Sequence, residues 1–242
     1  MADAVAAQPV RFRTFADARP MGWGAFAIAL FILGLHSGAI ALPFNSSITS
    51  IDIAAFFFIG GVVLLLAGLW SFPNNDTFGA TLFTVYGALF LALGYIGSNG
   101  SIGPNDTVGL DRPNRRSYGS FFLAYVLFNF FIWLSSIRTH IGHNVFLILL
   151  EVTWILLSAG SWNGKRTVVK TGGWFAFFAS LVAFYHLAST FLNRDNFLID
   201  LPSGRFGHRR RDIVEQDIEA GETGNVEGHG RHRAKPEVVS EH

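Results

Sequence analysis

Long stretches of the chain are strongly apolar and contain no Asp, Glu, Lys or Arg. Five such stretches cover residues 20–51, 53–75, 77–105, 117–137 and 171–193. An α-helix needs roughly 20 apolar residues to cross a bilayer, so each stretch is long enough to span one. A sixth apolar stretch, residues 144–162, contains a single charged residue, Glu151. The pattern therefore predicts an all-α, polytopic membrane protein with six transmembrane helices.

The predicted spans are separated by short polar segments and flanked by two polar tails. They cover about residues 21–42, 53–72, 77–97, 120–137, 144–162 and 172–192, within a transmembrane domain of residues 21–193. Residues 1–20 form an N-terminal tail, and residues 194–242 form a charged C-terminal tail for which we expect disorder. Because only residues 73–76 separate the second and third spans, we expect these helices to form an antiparallel pair.

Basic residues near the membrane favour cytoplasmic termini. With both ends inside, nine Arg residues lie next to the membrane on the inner side, against six Lys or Arg residues in the outer loops. The loop between the third and fourth spans then lies outside and carries the glycosylation sequons of Asn99 and Asn105. A glycan on either residue would agree with this orientation.

Composition excludes several classes of protein. Charged residues make up 14% of the chain, against about 25% in soluble domains. The net charge of +1 gives no reason to expect a nucleic-acid partner. The chain has no Cys, so it has no disulfide or thiolate metal ligand. It also shows no nucleophile–base constellation, phosphate-binding loop or set of metal ligands, so we predict no enzyme, no metal and no cofactor.

Two polar side chains stand out because polar groups inside a membrane need a partner. His36 lies between Gly34 and Gly38, a spacing that favours close helix contact. It either lines a pathway or bonds to a neighbouring helix. Glu151 is the acidic residue deepest in any span. It is either a proton- or substrate-coupled group or a protonated carboxyl that is hydrogen-bonded between helices.

The third span combines a row of small residues with one tyrosine. Thr77, Thr81, Thr84 and Ala88 recur at helical spacing, and Tyr86 lies on the opposite face. This pattern is typical of a helix that packs closely on one side and presents an aromatic hydroxyl to a polar pathway on the other.

Two histidines follow the fourth span. His140 and His143 are spaced to share a helical face, and no third metal ligand accompanies them. We therefore interpret them as a pair that faces the lipid headgroups.

The third span also carries a family motif. Residues 76–87, D-T-F-G-A-T-L-F-T-V-Y-G, resemble the N-T-F-G-x-T-x-F-T-x-Y-G signature of the acetate uptake transporters, the GPR/FUN/YaaH family. Residues 20–23, the Leu35–His36 pair and parts of residues 173–206 are similar to further motifs of that family. The resemblance covers about residues 20–206 and is most specific in the third span.

The resemblance implies a six-helix protein of the plasma membrane that assembles as a homohexamer in the lipid bilayer. Each protomer would carry its own pathway for acetate or a similar small monocarboxylate. The constriction of that pathway falls on Phe26, Tyr86 and Leu150 by motif, with Leu150 placed by a looser match. His36 and Thr81 would line the pathway, and Glu151 would be polar or proton-linked within it.

Several positions depart from the family pattern and leave the cargo open. Asp17 and Ala18 stand where the motif has Asn-Pro, Gly34 and Asp76 each replace an Asn, Leu64 replaces a Gln, and Ser71 replaces a Glu. These changes indicate a divergent, fungal member of the family. The leading hypothesis is a transporter or channel for a small monocarboxylate, with proton coupling. The alternatives are a pore for another small solute such as ammonia, and a non-transporting membrane organiser or sensor.

Overall fold

The structure is a computed structural model, and it describes residues 16–40, 50–98, 115–137 and 141–191. Both predicted tails lie largely outside the described residues. The same is true of the sequons of Asn99 and Asn105 and of His140.

Six helices in the described part of the chain are long and apolar enough to cross a membrane, which confirms the predicted fold class. They are α1 (Arg19–Gly38), α2 (Ser50–Ser71), α3 (Thr77–Ser98), α4 (Arg115–Ser136), α5 (Ile141–Asn163) and α6 (Arg166–Phe191). Five of these helices begin before their predicted starts, and the largest differences are at α4, which begins at Arg115 rather than residue 120, and α6, which begins at Arg166 rather than residue 172. A basic residue is tolerated at the end of a transmembrane helix because its long side chain reaches the membrane–water interface.

Neighbouring helices follow the order of the chain. The α1 helix packs against α2 and, most extensively, against α6, while α2 packs on α3, α4 on α5 and α5 on α6. The α3 and α4 helices meet through the side chains around Tyr86. As the short connection predicts, α2 and α3 form a packed pair. Large apolar side chains of α1, α3 and α5 fill the core that these helices share.

Glycines set the close contact between α1 and α6. A Cβ atom at Gly34 would lie 2.7 Å from the backbone nitrogen of Phe177. A Cβ atom at Gly173 would overlap the backbone of Gly38. The close helix contact predicted from the Gly34–Gly38 spacing is therefore confirmed, and its partner is α6.

The α2 helix contains a π-helical segment, Ala55–Val63. Within it, Gly60 and Gly61 lie against Phe90 and Leu91 of α3, with no room for a Cβ atom. A π-helical turn shifts the register of a helix, and here it lets α2 continue along α3 through Leu64–Ser71.

The predicted row of small residues on α3 does not form one interface. Thr84 packs beneath Gly68 of α2, whereas Thr81 is half-buried beside a cavity and Ala88 is exposed. These three residues therefore lie in three different environments, which helical spacing alone does not reveal.

Candidate functional site

A cavity of about 790 Å³ opens at the end of the bundle where α1, α3 and α5 begin and α2 and α4 end. We call this cavity the vestibule. Its lining is rich in hydroxyl, amide and charged groups. It consists of Asp17, Arg19, Ser71, Asn74, Asp76, Thr77, Phe78, Thr81, Ile132, Ser135 and His143.

Charged groups at the rim of the vestibule are held by short contacts. Arg19 forms an ion pair with Asp17, with 2.7 Å between Nη2 and Oδ2. Burial raises the pKa of the Asp17 carboxyl, but the hydrogen bonds and positive charge of Arg19 outweigh it, so the pKa lies below its ordinary value. The Asp76 carboxylate accepts a hydrogen bond from the backbone N–H of Gly79 at 2.9 Å and so caps the start of α3.

His143 lines the vestibule and lies against Trp23 of α1, with ring centroids 5.2 Å apart. Our interpretation of His143 as a headgroup-facing residue is therefore wrong. The first turn of α5 points the ring toward the bundle, where it also contacts His186 of α6 at 4.6 Å. The sequence feature that could have indicated an inward-facing His143 is His186, a second histidine within an apolar span that needs a partner.

The structure places the three residues of the expected constriction in its apolar core. Phe26, Tyr86 and Leu150 are fully buried and belong to one apolar cluster, with the Phe26 and Tyr86 rings 4.9 Å apart. We call these three residues the neck. The vestibule lining ends at Thr81, which is roughly 7.5 Å from Tyr86 along α3. In this conformation none of the three side chains is exposed or lines the vestibule.

A buried polar network surrounds the hydroxyl of Tyr86. Trp154 Nε1 donates a hydrogen bond to this oxygen at 3.1 Å, and the hydroxyl donates to Asn129 Oδ1 at 2.9 Å. The Asn129 amide nitrogen donates to Glu151 Oε2 at 2.7 Å and to the Leu147 carbonyl at 3.0 Å. The network joins α3, α4 and α5 at the level of the neck.

Glu151 is thus hydrogen-bonded between helices, as one of the two sequence interpretations expected. Its carboxylate is half-buried and lies at the edge of the core rather than within the neck. Because the amide nitrogen of Asn129 points to Glu151, the amide oxygen is directed at Tyr86. Asn129 is fully buried and was missed from the sequence, although a lone amide in an apolar span carries the same signal as His36.

His36 lies away from both the vestibule and the neck. Its Nε2 atom is 3.2 Å from Oδ2 of Asp52, and the two side chains are nearly buried. This pair joins the last turn of α1 to the first turn of α2, roughly 15 Å along α1 from Phe26. Asp52 stood at the border of a predicted span, so the sequence did not reveal it as a partner. His36 is bonded to a neighbouring helix, which is one of the two options that its position allowed.

These features define a polytopic helical membrane protein with a vestibule at one end of its helix bundle and a buried aromatic and aliphatic core beside it. The chain belongs to the GPR1/FUN34/yaaH family, whose model matches residues 2–208. This confirms the family inferred from the third-span motif.

Individual relatives agree with that assignment. The chain is 26% identical to acetate permease A of Emericella nidulans, over 86% of this chain and 74% of that protein. It is 28% identical to ammonia transport outward protein 2 of Saccharomyces cerevisiae, covering 78% of this chain and 66% of the relative. For the succinate-acetate/proton symporter SatP of Escherichia coli the identity is 27%, over 78% of this chain and 95% of the relative.

A solved structure described as the bacterial acetate channel SatP superposes on this chain with a TM-score of 0.66. The superposition covers 78% of this chain and 100% of the channel, at 25% sequence identity. The six-helix architecture is therefore shared with a membrane channel.

Proposed function

We propose that the protein conducts acetate or a similar small monocarboxylate across the plasma membrane. The observation that carries this proposal is the vestibule together with the buried apolar core next to it, which holds Phe26, Tyr86 and Leu150 and in which the Phe26 and Tyr86 rings lie 4.9 Å apart. A narrow apolar constriction with one hydrogen-bonding group suits a small amphiphile and rejects bulky or strongly hydrated solutes. The names of the acetate permease and the acetate channel among the relatives support the same class of cargo.

The polar network gives the neck a way to meet a carboxylate. In the structure the Tyr86 hydroxyl donates to Asn129 Oδ1. A carboxylate oxygen is a stronger acceptor than an amide oxygen, so substrate at the neck competes for this donor. Trp154 Nε1 supplies a further donor at the same oxygen of Tyr86. In this mechanism the Tyr86 hydroxyl exchanges Asn129 Oδ1 for a carboxylate oxygen of the substrate as its hydrogen-bond acceptor. Asn129 and Glu151 stay bonded to each other during this exchange.

Assembly and orientation belong to the same proposal. The α4 helix exposes Leu127, Phe130, Phe131 and Leu134 on one face, where lipid or neighbouring copies can cover them. We propose a homohexamer in which each protomer has its own pathway, with both termini in the cytoplasm. Native mass spectrometry of the detergent-solubilised protein tests the assembly, and a species other than a hexamer would contradict it.

Uptake of labelled acetate into proteoliposomes tests the function. We expect uptake above empty vesicles, and we expect Tyr86→Phe to reduce it about tenfold because a lost charge-assisted hydrogen bond at the neck removes roughly 1.4 kcal/mol or more. Tyr95→Phe is the matched control, since Tyr95 lies on the same helix but is 64% exposed. Absence of uptake at both acidic and neutral pH would overturn the proposal.

Ammonia is the second candidate cargo. Leu64 is fully buried in the apolar core at a position where the family pattern has Gln, which leaves fewer polar groups for a carboxylate. A relative named for ammonia transport is 28% identical to this chain. Stopped-flow measurements on the same vesicles with ammonia and with acetate discriminate the two. Passage of ammonia alone would support this candidate, and passage of neither would support the membrane organiser.

A further inference from the structure

Three aromatic rings from three helices form a cluster beside the vestibule. Trp23 of α1 and His143 of α5 both contact His186 of α6, with centroids 4.5 Å and 4.6 Å away. His143 lines the vestibule, and His186 is buried behind it. Trp23 also contacts Phe146 at 5.1 Å, and Phe146 lies 5.2 Å from Phe26 of the neck. The cluster of Trp23, His143 and His186 therefore lies between the vestibule and the neck.

The charges near this cluster do not favour an anion while the imidazoles are neutral. In the described part of the chain, the charged side chains that line the vestibule are Arg19, Asp17 and Asp76, one positive and two negative, which sum to −1. A carboxylate that enters the vestibule meets this net negative charge.

Three further groups near the two imidazoles are uncharged at neutral pH. Phe78 of α3 packs on His143 at 5.4 Å, Tyr185 lies 6.3 Å from His186, and Ser135 of α4 lines the same cavity. Protonation of one imidazole adds one positive charge to the summed charge of the vestibule lining, which then changes from −1 to zero. Histidine is the side chain whose ordinary charge change falls between pH 5 and 8, so such protonation is available under physiological conditions.

We propose that His143 and His186 form a proton-dependent receiving site for a small monocarboxylate anion. The imidazole pair binds one proton as the carboxylate arrives, so that one anion and one proton enter together and their charges cancel. The choice of ligand rests on the proposed function.

The ring geometry limits the pair to a single proton. Two imidazolium rings 4.6 Å apart would repel each other, whereas one imidazolium is stabilised by its neutral neighbour and by the face of Trp23. The site thus links proton binding to anion binding with a stoichiometry of one to one. His143 contacts the anion from the vestibule, and His186 acts as a positioning residue behind it.

Proton uptake on ligand binding tests this site directly. The purified full-length protein in detergent is placed in weak buffer at pH 7 with a pH indicator, and sodium acetate is added. We expect about one proton to be taken up per acetate bound, and acetate affinity to fall about tenfold per pH unit above the titration range. His143→Gln and His186→Gln keep a polar side chain but cannot hold the proton, so both abolish the uptake.

His36→Gln is the matched control for these variants. His36 lies roughly 20 Å along α1 from Trp23 and pairs with Asp52 at the far end of the helix. This variant retains the proton uptake. If it abolishes the uptake while His143→Gln does not, the proposed site is overturned.

A second measurement avoids changes to the histidines altogether. The chain contains no Cys, so Thr81→Cys introduces a single thiol into the vestibule lining. We expect acetate to slow labelling of this thiol by a methanethiosulfonate reagent at pH 6 and to have little effect at pH 8. Labelling rates without acetate at each pH correct for ionisation of the thiol.

The outcomes separate this site from the proposed function. Acetate binding without proton uptake, or protection of Thr81→Cys that is equal at both pH values, would overturn the receiving site even if vesicles transport acetate. Proton-linked binding to the wild-type protein that is lost in both Gln variants would support the site even where acetate flux is absent.

Discussion

At the scale of single residues, Asn129 is the side chain on which the buried network depends. It is fully buried and uses its oxygen and both donor positions on Tyr86, Glu151 and the Leu147 carbonyl. Removing it leaves a buried hydroxyl and a carboxylate without their partner, and an unsatisfied buried polar group costs about 1–3 kcal/mol.

Asn129→Leu is therefore expected to destabilise the protein by about 1–3 kcal/mol. A thermal unfolding series in detergent measures this. Ser120→Ala, an exposed change on the same helix, serves as the control. A variant as stable as wild type would show that the network contributes little to the fold.

Glu151→Gln separates the charge of this residue from its hydrogen bond. The Gln amide oxygen can still accept from Asn129 Nδ2, so we expect stability near that of wild type. Glu151→Leu removes the acceptor and is expected to be the less stable variant. Equal stability of the two variants in the same unfolding series would contradict the assigned role of the carboxylate.

Asp17 belongs to the vestibule but is not expected to sense pH in the physiological range. Its folded pKa is lowered, so its pairing with Arg19 is present above the ordinary carboxyl pKa and is lost only as pH falls through the still lower folded value. Asp17→Asn should therefore leave the shape of the flux–pH profile between pH 5 and 8 unchanged. A shift of the profile in this variant would assign proton sensing to the rim of the vestibule rather than to the histidines.

At the scale of elements, the contact between α1 and α6 depends on glycine. A Cβ atom at Gly34 would meet the backbone of Phe177 at 2.7 Å, and backbone cannot move aside as a flexible side chain can. At Gly24, on the same helix, a Cβ atom would meet only the Leu187 side chain at 3.6 Å, an ordinary contact.

These two glycines provide a matched comparison. Gly34→Ala is expected to lower stability by about 1–3 kcal/mol through overpacking. Gly24→Ala is expected to be neutral or to stabilise by about 0.5–1 kcal/mol, because Ala favours a helix over Gly. The midpoint temperatures of thermal unfolding of the two variants, each compared with that of the wild-type protein, test both expectations. If both variants behave alike, α1 and α6 are not in close contact in the protein.

At the scale of the whole molecule, the apolar pattern was sufficient to predict six spans, and the third-span motif identified the family. Both predictions succeed because span length and motif spacing are local properties of the chain. The constriction at Phe26, Tyr86 and Leu150 that the resemblance implies stays a prediction, although the structure buries all three residues in one apolar core.

Properties that depend on which helices are neighbours could not be predicted. The partner of His36 is Asp52, a residue on the next helix that lay at the edge of an apolar run. His143 faces the bundle because of the direction in which α5 begins, which its spacing from His140 does not determine. Asn129 is joined to Tyr86 across 43 positions of sequence. Tertiary packing decides each of these contacts.

The central claim is that substrate passes through the neck, and size selectivity tests it most directly. Leu150→Ala removes a fully buried side chain from the neck, whereas Ile148→Ala alters an exposed position on the same helix. The measurement is the ratio of butyrate to acetate flux in proteoliposomes made from each variant. We predict a clear rise in this ratio for Leu150→Ala and none for Ile148→Ala. Measurable acetate flux with an unchanged ratio in Leu150→Ala would show that the pathway does not run through Phe26, Tyr86 and Leu150.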